Sequence, residues 1–328
     1  MKRTISVAPM MDCTDSHDRF FLRLISKKVM LYSAMVATKS AIFGDLKKIL
    51  GCSPEEKPLA LQVGGTDKKE LAQVSKIAED FGYDEININL GCPSKKVQKN
   101  KFGACLMKEP NLVSECINEM INSCKIPVTA KTRIGFDDVE NFDYLNNFIS
   151  KMNKAGCKKF ILHARKAVLK GLSPKQNLSI PKLNYEMVYK VKKENPDLEI
   201  IINGGISKIE EIKNHLKKCN GVMIGRAIYQ NPYFLTEIEK EIFDTKSNPS
   251  REQIVEELLK YLEKEIKLGT KVNHIMRHTV GLYHGQIGSK NWKRYLSDNM
   301  MARDSDFQKA KHIMTIVQNN EKVNQLNK

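Results

Sequence analysis

Short apolar runs alternate with longer amphipathic stretches over most of the chain, and this alternation constrains the fold more than any other feature. Helices are predicted between most of the runs, over residues 67–81, 111–124, 142–155 and 207–218, the last with a capping box of Ser207 and Glu210. Eight runs are predicted to be β-strands: residues 5–8, 31–36, 59–63, 85–90, 128–132, 160–163, 199–202 and 221–224. Eight strands with intervening helices, over about 240 residues, predict an α/β fold, a (β/α)8 TIM barrel. A doubly wound open sheet is the alternative, although no strand is followed by its GxGxxG fingerprint.

The pattern changes near residue 248, where strands stop and only helices are predicted. These helices cover residues 251–268, 273–283 and 307–319. The chain is therefore predicted to divide into a barrel domain, residues 1–243, and an all-helical C-terminal domain, residues 244–328.

Positive charge is excessive and unevenly placed. The net charge is +16, from 54 basic and 38 acidic residues. No acidic residue occurs in three windows, residues 92–107, 144–185 and 266–297, which are rich in lysine and arginine. Three such windows favour a surface that binds a polyanion, whereas a uniformly solvated lysine-rich surface is the alternative.

The eight cysteines show neither a CxxC pair nor a His–Cys spacing typical of a metal site. Reduced thiols of this kind are expected in a cytoplasmic protein, and no bound metal is expected. No signal peptide and no apolar run of about 18 residues is found, so a soluble protein is expected.

One cysteine, Cys92, stands where a barrel would place its chemistry. The predicted strand 85–90 ends abruptly in Gly91, Cys92 and Pro93, and active sites lie at the C-terminal ends of barrel strands. Taken alone, the neighbouring Lys95 and Lys96 would lower the pKa of the thiol, whereas bound phosphates are expected to screen their charge. The alternative is a buried, inert cysteine in a basic loop.

Polar side chains also follow the other predicted strands. The set comprises Gln62, Asn89, Lys131, Arg133, His163, Arg165, Asn203-Gly204-Gly205 and Gly225-Arg226. Barrels often bind phosphate in the loops after strands seven and eight, so the last two groups predict a phosphate site.

Taken together, these motifs resemble the tRNA-dihydrouridine synthases, flavoenzymes that reduce a uridine of tRNA. The resemblance runs along nearly the whole chain, and within the family it points to the subgroup specific for positions 20 and 20a of the D-loop. It is carried by residues 7–12 (VAPMMD), 61–65 (LQVGG), 87–94 (NINLGCPS), 103–106 (GACL), 131–135 (KTRIG), 163–167 (HARKA), 171–175 (GLSPK) and 281–286 (GLYHGQ).

The resemblance implies an FMN cofactor, with NADPH as a transient reductant. Residues implied to bind FMN are Pro9, Met10, Met11, Gln62, Lys131, His163, Asn203, Gly204, Gly205, Gly225 and Arg226. Cys92 is implied to be the general acid that protonates uracil C5. Residues implied to contact tRNA are Asn89, Lys95, Lys175, Leu178, Lys290 and Lys293. The domain 1–243 would then bind FMN, and the domain 244–328 would bind tRNA.

Three other functions remain open from the residues alone. An FMN barrel could reduce a free pyrimidine, which would leave the basic windows unexplained. An RNA-binding protein could use the barrel as a scaffold. Lys131 could form a Schiff base in an aldolase-like site, which would leave Cys92 unexplained.

Overall fold

The computed structural model describes residues 4–286 and 289–300. The described chain forms two compact units, which we call the first unit (residues 4–12 and 29–225) and the second unit (13–28, 226–286 and 289–300). The helix predicted at 307–319 lies outside the described residues. The predicted division into a catalytic domain 1–243 and a tRNA-binding domain 244–328 is one of function and stays a prediction.

The first unit is built on a sheet of parallel strands. These are β1 Thr4–Val7, β2 Leu31–Tyr32, β3 Val36–Ala37, β4 Leu59–Gly64, β5 Glu85–Leu90, β6 Val128–Arg133, β7 Lys159–His163, β8 Glu199–Asn203 and β9 Gly221–Ile224. The strand order is β1-β9-β8-β7-β6-β5-β4-β2, with β3 also on β4. Backbone hydrogen bonds between Met30 and both Ile5 and Val7 join β1 to the segment before β2 and nearly close the ring. The predicted TIM barrel is confirmed.

The second predicted strand, residues 31–36, is wrong as a single element, because β2 and β3 pair separately with β4. Between them the hydroxyl of Ser33 accepts a hydrogen bond from the Gln62 N–H at 3.0 Å. A side-chain oxygen thus takes the place of a backbone carbonyl in the ladder, and the regular pairing is interrupted there.

The α-helices are α1 Ser16–Ile25, α2 Thr38–Phe43, α3 Leu46–Leu50, α4 Lys68–Asp80, α5 Lys95–Lys99, α6 Pro110–Ser123, α7 Phe142–Lys154, α8 Tyr185–Glu194, α9 Ile209–His215, α10 Arg226–Gln230, α11 Phe234–Phe243, α12 Arg251–Lys267, α13 Val272–Met276 and α14 Ser289–Tyr295. The predicted helix 273–283 is instead α13 followed by a 3₁₀-helix, Arg277–Gly281. The predicted capping box at Ser207 is displaced by one residue, because Lys208 is the N-cap of α9 and Glu211 accepts the Ser207 and Lys208 N–H groups.

Side chains at alternate positions of the strands fill the barrel interior. Its apolar part is a cluster of Ala8, which directly follows β1, with one residue from each of five strands, Tyr32, Ala60, Ile161, Ile201 and Met223. Successive strand residues point to opposite faces, so the polar residues Glu85, Asn87 and Asn89 of β5 share one face. The interior therefore holds polar as well as apolar side chains.

The second unit gathers the helix that follows β1 with the helices that follow β9. In it, the rings of Phe20 on α1 and Tyr261 on α12 stack with centroids 3.8 Å apart. Tyr261 also hydrogen-bonds His17 at 2.7 Å, and Asp15 forms ion pairs with Arg277 and His278. None of the described helices is both long and apolar enough to cross a membrane.

Candidate active site

The C-terminal edge of the barrel carries the polar residues predicted from strand ends. The strand register pairs Asn89 with Lys131 and His163 with Asn203. Gln62, near the end of β4, accepts a hydrogen bond from the Asn89 amide at 2.8 Å. The structure therefore brings these five residues to one edge of the first unit, as the parallel strands require.

The loop that carries Cys92 is held by the side chain of Asn89. The Asn89 carbonyl oxygen accepts the N–H of Gly91 at 3.1 Å and that of Cys92 at 3.0 Å. The Cys92 carbonyl in turn accepts the Ala104 N–H at 2.9 Å. Gly103 makes this approach possible, because a Cβ there would lie 2.6 Å from the Cys92 oxygen and its φ is +77°.

Burial raises the pKa of the Cys92 thiol above its ordinary value. The Ser94 N–H and the charges of Arg133 and Lys131 lower it by less than burial raises it. Lys95 and Lys96 do not set the direction of this shift, because both side chains are exposed on α5, where water screens their charge. Cys92 is therefore a protonated thiol at neutral pH.

Arg133 lies beside Cys92 and ties together three stretches of loop. Its Nε donates to the Gly91 carbonyl at 2.9 Å, and its Nη1 donates to the carbonyls of Lys166 at 2.9 Å and Asn177 at 3.1 Å. Burial lowers the pKa of this guanidinium to about 10. Arg133 remains charged at neutral pH and stabilises a negative charge on the neighbouring sulphur.

Lys131 has no carboxylate partner in the part of the chain that the structure describes. Burial, and then the charge of Arg133, lower the pKa of its ammonium to about 7, while the Cys92 thiol opposes this shift. No ion pair to Lys131 occurs within residues 4–286 and 289–300. A partly buried lysine whose charged form is disfavoured favours an anionic ligand, because the ligand would restore the stability of that form.

In the loop after β8, two glycines let the backbone pass close to the side chains of His163 and Leu183. Gly204 has a φ of +121°, and a Cβ there would lie 2.7 Å from the His163 ring. Gly205 has a φ of +72°, and a Cβ there would lie 2.7 Å from Leu183. Asn203 is fixed beneath them, since its amide donates to the Met223 carbonyl at 2.8 Å. Only glycine suits both positions.

The remaining residues implied to bind FMN follow β1 and β9. Pro9 and Met10 are partly buried, and Met11 is exposed. A Cβ at Gly225 would lie 3.5 Å from the Met10 sulphur, so Met10 and Gly225 are neighbours. Arg226 follows Gly225 directly in the chain and is the first residue of α10, in the second unit.

Comparison with known proteins gives the family. A model of the family described as dihydrouridine synthase (Dus) matches residues 6–320. The chain belongs to this family. It is 48% identical to the tRNA-dihydrouridine(20/20a) synthase of Shewanella oneidensis over 300 residues, 91% of this chain and 89% of the relative. It is also 48% identical to the protein of that name from Escherichia coli strain K12 over 316 residues, 95% and 91% of the two chains.

A third relative of the same name, from Synechocystis, is 47% identical over 298 residues, which cover 90% of this chain and 89% of the relative. The resemblance seen in the sequence motifs is thereby confirmed. As a dihydrouridine synthase the chain is an oxidoreductase.

Of the residues that the family resemblance implies for tRNA, Asn89 is buried in the first unit, and the others lie at the surfaces of the two units of this dihydrouridine synthase. In the first unit, Lys95 and Lys175 are exposed, and Leu178 is partly buried at the end of a 3₁₀-helix, Gln176–Leu178. In the second unit, Lys290 and Lys293 are exposed on α14.

Two features of this dihydrouridine synthase site were not assigned a role from the sequence. Arg133 was noted only as a strand-end cation, although its position two residues after Lys131 places both on one face of β6. The polar residues Glu85 and Asn87 were hidden in a strand read as apolar. Their strict alternation with Ile86 and Ile88 is the signal that would have revealed a polar interior.

Proposed function

We propose that the protein reduces a uridine in the D-loop of tRNA, at position 20 or 20a, to 5,6-dihydrouridine, with FMN as cofactor and NADPH as reductant. The observation that carries the proposal is the position of the Cys92 thiol, whose pKa burial raises, at the same edge of the barrel as Lys131, which has no ion-pair partner among the described residues. The names of the relatives support the choice of substrate and position.

The residues at this edge fit FMN. This cofactor has a planar ring with an electron-poor polar edge, and it also carries a charged phosphate. Lys131 offers an ammonium to the ring edge that becomes negative on reduction, and Gln62 retains one N–H donor beyond its bond to Asn87. We expect the backbone of Gly204 and Gly205 to receive the phosphate, because the loops after the seventh and eighth strands of such barrels often bind one.

In this proposal each strand end has one task. Pro9, Met10 and Met11 cover one face of the ring, and His163 lies beside Lys131. Asn203, Gly204, Gly205, Gly225 and Arg226 hold the phosphate. A bound flavin would supply a hydride for C6 of the uracil. Asn89 orients the uridine with the N–H that its bond to Gln62 leaves available.

Cys92 completes the reduction by giving its proton to uracil C5. The hydride and this proton together add two hydrogens across the C5–C6 bond, and the thiolate left behind regains a proton from solvent. The raised pKa keeps Cys92 protonated until substrate arrives. The charges of Arg133 and Lys131 then stabilise the thiolate as it forms.

The substrate is a polyanion, and we propose that the basic surfaces bind its phosphates. Lys95 and Lys175 would act in the first unit, with Leu178 making an apolar contact, and Lys290 and Lys293 would act in the second. Phosphate contacts of this kind release counterions, so binding should weaken steeply as salt is raised. We place the activity in the cytoplasm, where all eight cysteines would remain reduced, as they are in this structure.

The test is mass spectrometry of D-loop fragments from unmodified tRNA after incubation with the protein and NADPH. A gain of two hydrogens at position 20 or 20a is expected. Cys92→Ala should lower turnover by about 10²–10⁴-fold, the range for loss of a general acid, while flavin stays bound and reducible. The matched control is Cys105→Ala, which alters another partly buried thiol of the same region and should retain activity.

Two results would contradict the proposal. Equal activity on free uridine and on tRNA would make the protein a reductase of small pyrimidines. A colourless preparation that still binds tRNA would make it an RNA-binding protein without redox function.

A further inference from the structure

The interior of the barrel holds a continuous chain of hydrogen bonds that leads from the floor of the first unit to the Cys92 loop. Its members, which we call the relay, are Glu85, Thr129, Asn87, Gln62 and Asn89, all of them buried. Asn87 is central, because the strand register places it opposite both Gln62 and Thr129. Each member therefore contacts the next across neighbouring strands.

Glu85 fixes which groups donate and which accept hydrogen bonds at the end of the relay farthest from the Cys92 loop. As a carboxylate it only accepts hydrogen bonds, and it receives the Thr129 hydroxyl at 2.7 Å and the Tyr32 hydroxyl at 2.5 Å. Lys159 balances its charge at 2.9 Å from the other oxygen. Because the Thr129 hydrogen is directed at Glu85, its oxygen is left to accept a bond from Asn87, which lies at 2.8 Å.

The same donor-to-acceptor direction continues toward the Cys92 loop through the side-chain amides of Asn87, Gln62 and Asn89. Asn87, having donated to Thr129, accepts from the Gln62 Nε2 at 2.8 Å. Gln62 accepts from the Asn89 Nδ2, also at 2.8 Å. The Asn89 oxygen is thereby turned toward the loop, where it receives the N–H groups of Gly91 and Cys92. These backbone N–H groups can only donate, so the Asn89 oxygen must face them. The hydrogen bonds at the Cys92 end of the relay therefore require the same donor-to-acceptor direction as those at Glu85.

We propose that Glu85 and Thr129 are positioning residues for Cys92, which they control through the relay without touching substrate or flavin. The identification of Cys92 as the proton donor rests on the proposed function, whereas its positioning does not. Removing the Thr129 hydroxyl should leave Asn87 without an acceptor, free the Asn89 amide to rotate, and release the N–H groups that hold the Cys92 loop.

Three variants separate the relay from general damage to the barrel. Thr129→Val keeps the shape of the side chain and removes the hydroxyl. Thr129→Ser keeps the hydroxyl and should rescue the effect. Tyr32→Phe is the control, because it removes the other hydroxyl that donates to Glu85 and that also contacts Thr129, yet it keeps the Thr129 hydroxyl and its bond to Glu85 in place.

The readout is the rate at which iodoacetamide alkylates Cys92, followed by mass spectrometry of the peptide in the full-length protein. Thr129→Val should raise this rate by about fivefold, the factor that corresponds to one net hydrogen bond of about 1 kcal/mol. Thr129→Ser and Tyr32→Phe should stay within about twofold of the unaltered protein on the same scale. With tRNA, Thr129→Val should lower kcat more than it changes KM.

An unchanged alkylation rate in Thr129→Val would overturn the proposal, and so would an equal rise in Tyr32→Phe, which would indicate general loosening around Glu85. If the alkylation pattern holds while Cys92→Ala still reduces tRNA, the relay stands and the acid role of Cys92 fails. Should Thr129→Val not fold, Glu85→Gln replaces it. In Glu85→Gln the side chain can donate as well as accept, so it no longer fixes the direction of the hydrogen bonds in the relay. If this variant does not also raise the rate of Cys92 alkylation, the proposal is wrong.

Discussion

Lys131→Met should stabilise the flavin-free protein near neutral pH, although it removes a residue proposed to bind the cofactor. The reason is that the folded chain holds Lys131 in a place where its charge is disfavoured by burial and by Arg133. A methionine fills similar space without a charge. The expected result is therefore a more stable protein that retains flavin less well, as stability–function trade-offs imply.

The magnitude follows from the two pKa values. The ammonium has a pKa of 10.5 in the unfolded chain and about 7 in the folded chain. At about 1.36 kcal/mol per pH unit, this gap corresponds to an upper bound of about 5 kcal/mol. Because the Lys131 side chain is only partly buried and water reaches it, we expect roughly 2 kcal/mol at pH 7.

The effect must depend on pH with a definite sign. Between pH 7 and pH 10.5 the unfolded chain holds a proton on Lys131 that the folded chain has lost. The free energy of unfolding therefore rises with pH through this window in the unaltered protein. Lys131→Met lacks this rise, so its advantage should be largest near pH 7 and should shrink toward pH 10.5.

Urea unfolding of the flavin-free protein, followed by far-UV circular dichroism from about pH 6.5 to about pH 9.5, measures this difference. Trp292, the one tryptophan of the chain, reports separately on the second unit by fluorescence. Lys154→Met, at an exposed position of α7, is the control and should change little. A variant less stable than the unaltered protein at pH 7, or an advantage that does not shrink as pH rises, would refute the reasoning.

Two further predictions concern the Cys92 loop and the tRNA surface. Arg133→Lys keeps the charge but loses the guanidinium that donates to three backbone carbonyls. We expect the free energy of urea unfolding to fall by about 2–4 kcal/mol and the alkylation of Cys92 to become faster. Unaltered values for both would contradict the role given to Arg133. Lys290→Glu with Lys293→Glu should weaken tRNA binding and reduce the slope of log K against log salt by about 1–2, with flavin content unchanged. The exposed pair Lys240→Glu with Lys264→Glu carries the same charge change and should bind normally; equal weakening would mean that only net charge matters.

The barrel and the edge that carries the site were predictable because each depends on local pattern. Short apolar runs bounded by glycine and proline mark buried parallel strands, and parallel strands necessarily present their C-terminal ends together. Once the strands were located, the meeting of Gln62, Asn89, Lys131, His163 and Asn203 at one edge followed from topology alone.

What the sequence did not reveal depends on distance and burial. Lys95 and Lys96 are close to Cys92 in sequence, yet burial decides the direction in which the pKa of Cys92 shifts. Closeness in the chain says nothing about where a lysine side chain points, and an exposed ammonium is screened by water.

The break in the second strand has a similar origin. Its cause is the Ser33 hydroxyl, which meets the Gln62 N–H across 29 positions of sequence. The spacing of apolar residues along a strand gives no information about a hydrogen bond between groups so far apart in sequence. The same holds for the carbonyls that Arg133 reaches, which come from separate loops.

Helix α1 has a consequence for how the protein is made. It is synthesised directly after β1, yet its apolar residues Phe21, Leu22 and Ile25 are buried in a unit otherwise formed by the chain after residue 225. Roughly 200 residues separate α1 from α11, and at about 5–20 residues per second a ribosome needs 10 seconds or more, on the order of half a minute, to supply them. During that interval the nascent chain carries an apolar helix whose partners in the same unit, α11, α12 and α13, have not yet been synthesised.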